Sequence, residues 1–525
     1  IIPSSRMKEH NVGLILNHKS ERRFYFDLSW RYLFADANLM NSFSQSRIYA
    51  MAVRTPITFD NTNGLIKATD NPDAYLTPSG TQRSFAPALA DNPFWLINTI
   101  NDNEKNEKMF GAFKLNAGPF NHVEMYISAI INRQHSSNIF GYSPGTAFFA
   151  DGILFDRDEN YNTMHGMAGT SINRSFNDHS MLIKLDYQEN YVERRLNLRE
   201  NNESEGHAFK DNSSRSSRQL CLSGKYTYDK GVAVRFSTSA YNSSTYKKMC
   251  WMPMAGVTLS LDDWIKQEIF NDWEINVSWS KTCTEAPLQY RRGMMNLILF
   301  TAAELDRYFE TEEIINHNIA RPENTMNLEI GTDLYVYSNK LYFSLYWYNK
   351  RINDYIYPVF IESKGFTPVN TGDMATTGID ADIGFALYSN CCKKWEIRFN
   401  FHKYSTLVKK VLNTDEIILG GFSDVSSCMV KGQPYGIIKG SAYLRDDNGR
   451  RIIGSDGFPL VDPQRRIIGN PNPDWQMGIE NKFTYKRFSV TLLIDFRKGG
   501  DIWNGTRNTL NYLGLGRETE SERLT

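Results

Sequence analysis

The 525-residue chain has no long apolar run: mean hydropathy is −0.47, and no stretch approaches the roughly 18 apolar residues that a spanning helix needs. Helical membrane insertion is thereby excluded. What stays open is a water-surrounded protein, or a span made of strands whose alternating signal escapes hydropathy averaging. Net charge is lacking too. Lys plus Arg and Asp plus Glu both number 59, so the basic excess of a nucleic-acid binder is missing and no nucleic-acid partner is expected. Cysteine is sparse: Cys221, Cys250, Cys283, Cys391, Cys392 and Cys428. None stands in C-x-x-C spacing, so no zinc or redox site is expected, and small buried or loop side chains are the ordinary reading. No H-E-x-x-H or G-x-S-x-G motif and no His/Cys cluster occurs, and His10 and His18 lie too far apart in extended chain to suggest a metal. The expectation is a non-enzyme without metal or cofactor. The opening "IIPSSRM" carries no basic n-region or apolar h-region, so no signal peptide is legible, and both ends read as cuts through a longer polypeptide.

Aromatic residues, by contrast, make up 13% of the chain, with 28 Tyr and 10 Trp. That content suits a carbohydrate-binding surface or the aromatic girdles of a membrane barrel. Apolar and polar residues also alternate from end to end. Phe24, Phe26, Leu28 and Trp30 are interleaved with Tyr25, Asp27, Ser29 and Arg31. Met125, Ile127, Ala129 and Ile131 form another such row, and Trp273, Ile275, Val277 and Trp279 a third. Trp395, Ile397, Phe399 and Phe401 stand against Lys394, Glu396, Arg398, Asn400 and His402. Near the C-terminus, Phe488, Val490, Leu492, Ile494 and Phe496 share one face. The prolines of Asn470–Pro473 delay pairing until near Trp475, and Gly499-Gly500 ends the strand. "GGDIWNGT" lacks the Lys-Ser/Thr ending of a phosphate-cradling loop.

Period-two alternation predicts strands with one apolar face, about sixteen of them. A soluble sandwich and a membrane barrel both fit that pattern, and three features favour the barrel. Many strands have about the ten residues a tilted crossing requires. Trp and Phe stand at the ends of apolar faces. Tight turns at Ala117-Gly118-Pro119, Asp229-Lys230-Gly231, Ser338-Asn339-Lys340 and Tyr485-Lys486-Arg487 alternate with long polar connections over 34–107, 191–218, 281–324 and 405–474. A helical patch at Thr301–Glu313 is expected inside one of these loops. The fold class is therefore all-β, a large antiparallel transmembrane β-barrel with long extracellular loops.

Several segments, in order, resemble the SusC/RagA-type TonB-dependent outer-membrane transporters of Bacteroidetes. They are the opening "IIPSSRMKEHNVGLILNHKSERRFYFDLSWRY", the Asn-Pro-aromatic segment Asp91–Gly118, and the hairpin Arg321–Val359. Val369–Phe385, Lys431–Arg450 and Ile468–Arg507 complete the series. Thr377 departs from the Asn-Lys pair more usual in the family. The resemblance implies a barrel of 22 strands, of which this chain covers most. The N-terminal extension, the plug and the last strands are expected elsewhere in the assembly, because open edges are not tolerated in lipid. It also implies nutrient import, of oligosaccharide or oligopeptide. The implied partners are a SusD-like surface lipoprotein over the mouth and TonB-ExbB-ExbD acting through the plug. A non-transporting structural or adhesive barrel is one alternative, and a soluble carbohydrate-binding protein or glycosidase another. Within this reading Lys394, Glu396 and Arg398 form a hydrogen-bonded wall facing the plug, and His402 is a polar lining residue. Glu329 and Asp333 share a strand face and pair with lumen Arg or Lys rather than serving as acid and base. Substrate-contact candidates are the loop aromatics Trp251, Tyr290, Tyr308, Tyr435 and Tyr443, whose ring faces suit stacking on sugars.

Overall fold

The computed structural model describes all residues except 1–5, 21–23, 39–41, 202–205, 230, 247, 262–264, 266–268, 289, 292–312, 315–319, 339, 362–364, 391, 413, 422–424, 513 and 521–525. The first ten strands are β1 (Arg6–Ser20), β2 (Phe24–Asn38), β3 (Asn101–Phe120), β4 (Val123–Tyr142), β5 (Ile153–Phe176), β6 (His179–Asn201), β7 (Gly206–Tyr228), β8 (Val232–Ser243), β9 (Cys250–Ser260) and β10 (Phe270–Thr284). A two-residue ladder joins β11 (Tyr290–Arg291) to β12 (Glu313–Ile314). Then follow β13 (Glu323–Val336), β14 (Leu341–Ile361), β15 (Gly365–Ser389) and β16 (Lys393–Val411). A separate four-stranded sheet comprises β17 (Glu416–Gly421), β18 (Val425–Val430), β19 (Ile437–Gly440) and β20 (Arg466–Gly469), and the chain returns through β21 (Pro473–Tyr485) and β22 (Phe488–Gly499).

Sixteen strands form one antiparallel sheet in the order β1 to β10, β13 to β16, β21, β22. Every neighbour in that sheet follows its predecessor in the chain, apart from the small inserted strands. The arrangement is a meander, held by local closures. Among the described residues the sheet is open between β1 and β22.

Register explains the alternation. Phe26, Leu115, Ile127, Ala168, Tyr187, Leu220, Ala240 and Trp251 form one cross-strand row from β2 to β9. Leu345, Ala381, Phe401, Met477 and Phe496 form another from β14 to β22. These rows lie on the outward face, where Leu220, Trp251 and Phe496 are exposed. The opposite face carries Asn276, Gly331, Tyr346, Asp380, His402, Gln476 and Arg497 in one row. Apolar outside and polar inside is the inverse of a water-soluble barrel, and it is the pattern lipid selects.

Short connections fall at one end, at 121–122, 177–178 and 486–487, and the three longest fall at the other, over 39–100, 285–322 and 412–472. Two expected connections need correction. Residues 191–218 are not a loop: β6 and β7 stay paired from His179↔Tyr228 out to Asn201↔Gly206. Both strands have 23 residues, more than twice a membrane crossing. Beyond the membrane edge both faces meet water, so the alternation fades while the backbone ladder continues. The turn expected at Ala117-Gly118-Pro119 is instead a ladder irregularity between Ala117 and Phe120, and the reversal comes at residues 121–122. Pro119 lacks the N–H that a regular ladder would use. The helix expected over Thr301–Glu313 lies outside the described residues except Glu313, which is in β12.

Packed apolar cores occur only at the long-loop end among the described residues. One joins Ile48 and Met51 of α1 (Ser42–Arg54) to Trp95 and Leu96 of α2 (Pro93–Thr99), with Phe140 and Tyr142 of β4 beneath. The Asn-Pro-aromatic segment builds α2. Asn92 is its N-cap, accepting from the Phe94 N–H at 2.9 Å, and Pro93 stands at the first helical position, where no N–H is missed. Asn92 is fully buried and its amide also donates to the carbonyls of Ala74 and Arg83, both at 3.0 Å, tying the 55–90 loop to the helix. The second core holds Met374, Val408, Val411 and Met429, and docks the small sheet on β15 and β16.

Candidate functional site: a polar cavity at the loop end

A cavity of about 1090 Å³ opens at the long-loop end on the polar face. Glu104, Asn106, Lys108, Gln134, Ser136, Asn138, Arg157, Glu159 and Tyr161 reach it from β3 to β5. Thr284–Pro287, Glu323, Tyr355 and Ile356 reach it from the far side. Strands distant in sheet order therefore wall one space, so the sheet curls around an interior.

The wall is ionic and closely satisfied. Arg194 is 3% exposed and its guanidinium lies 2.7 Å from Glu159 and 3.5 Å from Asp211. Arg157 meets Glu159 at 2.7 Å. Glu285 accepts hydroxyl hydrogen bonds from Ser243 and Thr245 and lies 3.4 Å from Arg215, which donates to the Ala286 carbonyl at 2.6 Å. Glu323 accepts the Ile356 N–H at 2.7 Å. The Tyr355 hydroxyl meets that of Tyr435 at 2.9 Å, with the rings edge to face. Asn472 donates to the Tyr435 carbonyl at 2.9 Å. Burial raises the Tyr435 phenol above its ordinary value, so it remains protonated and able to donate at neutral pH.

The expected contact residues are scattered. Tyr435 stands behind the cavity wall as a brace for Tyr355. Trp251 belongs to the outward apolar row and is 58% exposed there. Tyr443 lies on the 441–465 extension with the Arg451 guanidinium 4.9 Å over its ring. Tyr290 begins β11, and Tyr308 lies outside the described residues. Tyr355, Glu323, Glu104 and Arg157 were missed. The polar strand ends that carry most of the lining show no period in sequence.

Farther down the polar face, Arg398 grips Asp382 with Nε 2.8 Å from both carboxylate oxygens, Lys394 meets Glu396 at 2.6 Å, and His402 pairs with Asp380. The hydrogen-bonded wall is thus as expected. Asp333 departs from expectation: it accepts from the Tyr346 and Tyr342 hydroxyls and from Asn276, not from Arg or Lys. Tyr346 and Tyr348 lie flat over Gly331 and Gly378, their direct cross-strand partners, where only a glycine leaves room for the ring.

A family model described as TonB dependent receptor-like, β-barrel, matches residues 18–522. The chain belongs to this family. Its members are outer-membrane β-barrels, receptors and transporters rather than enzymes. The chain is 26% identical over 221 residues to TonB-dependent receptor P3 of Formosa agariphila, covering 37% of this chain and 22% of that protein. It is 22% identical over 294 residues to TonB-dependent receptor P26 of the same organism, covering 48% and 28%. The matched stretches thus span about a quarter of the curated relatives. The solved RagAB peptide transporter is similar in fold, with TM-score 0.70 and 12% identity over 96% of this chain and 59% of that one. The RagAB peptide importer in its closed-closed state gives TM-score 0.67 and 12% identity over 94% and 58%. The resemblance read from the sequence is borne out in family and in fold.

Proposed function

We propose that this chain is the barrel wall and loop-end mouth of a TonB-dependent importer that takes up oligosaccharide or oligopeptide across the outer membrane. The cavity between opposite walls, polar and braced by ion pairs, carries the reading. It is large enough for several sugar rings or residues, and it sits on the loop side of an apolar outward band. The chain contributes scaffold, wet wall and loops, and performs no covalent chemistry. A SusD-like surface lipoprotein closes over the mouth, and TonB with ExbB and ExbD acts through the plug of the complete transporter. Further strands of that assembly join β1 to β22. The peptide transport named for RagAB supports the oligopeptide arm. Tyr355, braced from behind by Tyr435, is the aromatic side chain offered to ligand in the cavity, with Tyr443 a further loop candidate.

Cells whose growth depends on this transporter would be fed labelled oligopeptide and oligosaccharide pools. Deletion of the gene should abolish uptake of one pool, and Tyr355→Ala should weaken it while barrel assembly stays normal. Undiminished uptake of both pools in the deletion strain would sink the import reading.

A further inference from the structure

The charges around the mouth cavity are unevenly matched. Glu159 is held by Arg157 and Arg194, and Glu285 by Arg215. Glu104, Lys108 and Glu323 line the same space, yet among the described residues none of them makes an ion pair. Glu104 accepts the amide of Asn106, its neighbour on one face of β3, and Lys108 stands farther along that face. Glu323 begins β13 on the far side of the cavity. Its carboxylate accepts the Ile356 N–H at 2.7 Å, and Lys350 acts on it only at a distance.

Burial is the largest influence on the Glu323 carboxyl and raises it above its ordinary value, while the Ile356 N–H and Lys350 lower it in part. A carboxylate drawn from water with no cation beside it gains from a cation that arrives with ligand. The Tyr355 ring lines the cavity next to Ile356, and its hydroxyl is fixed by Tyr435. A carboxylate beside an aromatic ring suits an ammonium group, which both attract. A divalent metal suits the place poorly: among the described residues no three His, Cys, Asp or Glu side chains stand close enough to hold one. A neutral sugar would leave Glu323 and Lys108 without counter-charges. A peptide brings one charge of each sign.

We infer that the mouth cavity recognises a short oligopeptide by its charges, with a primary ammonium group on Glu323 against the Tyr355 ring and a carboxylate on Lys108 across the cavity. The inference rests on the import reading and narrows its ligand to zwitterionic peptides. Glu104, already engaged by Asn106, takes no part.

The complete transporter, purified in detergent, would be titrated calorimetrically with tetra-alanine, its N-acetyl form and its C-terminal amide. Either block should weaken binding about tenfold or more, the size expected of a charge-assisted contact. Glu323→Gln should abolish the response to acetylation and keep the response to amidation; Lys108→Met should do the reverse, and Glu104→Gln should alter neither. Glutamine keeps the acceptor for the Ile356 N–H, and the heat-modifiable gel shift checks that each variant folds. An acetylated peptide with one lysine then identifies the source of the ammonium: recovered binding admits a side chain, continued loss assigns the amino terminus alone. Equal affinity for free and blocked peptides would overturn the inference and leave import standing. So would a response to acetylation that survives Glu323→Gln, or no binding of tetra-alanine by a transporter that still takes up one of the labelled pools.

Discussion

The glycine under Tyr346 is where the packing of the inner wall can be tested most sharply. A Cβ at Gly331 would come within 3.0 Å of three Tyr346 ring atoms, so Gly331→Ala must push the ring off the wall. Overpacking of this kind costs about 1–3 kcal/mol. The moving ring also carries the hydroxyl that donates to Asp333, and weakening that charge-assisted bond adds about 1 kcal/mol. Against this, replacing a strand glycine by alanine ordinarily gains about 0.5–1 kcal/mol. The net expectation is a loss of about 1–3.5 kcal/mol. With Tyr346→Ala already present the space is empty, and Gly331→Ala should become neutral or slightly favourable. Gly111 is the control: it sits in the interior of β3, and a methyl group added there would meet nothing within 4 Å, so Gly111→Ala should stabilise. Urea unfolding of the complete protein in detergent, followed by tryptophan fluorescence and by heat-modifiable gel mobility, gives the double-mutant cycle. An equal cost for Gly331→Ala with and without Tyr346 would refute the reasoning, because the penalty would then come from the backbone and not from the ring.

Arg194→Met should leave Glu159 to Arg157 and Asp211 to the Ser213 hydroxyl, at a cost of about 3–5 kcal/mol, read as faster hydrogen exchange at the loop ends of β5, β6 and β7; unchanged protection would contradict the assigned network. Tyr435→Phe removes the hydroxyl that braces Tyr355, a loss of about 1 kcal/mol. It should weaken ligand binding less than Tyr355→Ala does; the reverse order would move the contact surface to Tyr435. The Thr62 hydroxyl and the Thr62 and Gly64 N–H groups hold the Asp60 carboxyl below its ordinary range, and the Gln464 N–H and Arg466 do the same for Asp462. A lowered folded value stabilises above the ordinary aspartate value, and that stabilisation is lost as pH falls through the lowered one. Exchange in the 55–65 and 441–466 loops should therefore quicken below about pH 4, and Asp60→Asn should flatten that response in the first loop alone.

How far the sequence could be read depended on where each strand stood. Across the membrane one face meets lipid and the other water, so Trp395, Ile397, Phe399 and Phe401 against Lys394, Glu396, Arg398 and Asn400 announced their strand and both of its faces. The hairpin of β21 and β22 was legible to within a residue or two, because Pro473 and Gly499 mark its limits. Past the membrane edge that contrast vanishes. Arg194, Asp211 and Arg215 fell in an expected loop, and Glu104 and Asn106 in another, though all belong to ladder-bonded strands. They supply much of the cavity and its support.

The sequence by itself determined an all-β chain of about sixteen strands, apolar on one face, with its long connections gathered at one end. Those properties are local: they follow from period-two chemistry and from turn residues. Only the tertiary structure decided which polar residues share a space. Glu104 and Tyr355 meet around one cavity because the sheet curls, and curling depends on the twist and register of many strands together. It likewise decided that Trp251 faces outward while Tyr355, its unremarked counterpart, faces in. A one-residue difference in register separates those two fates, and no stretch of sequence around an isolated aromatic records it.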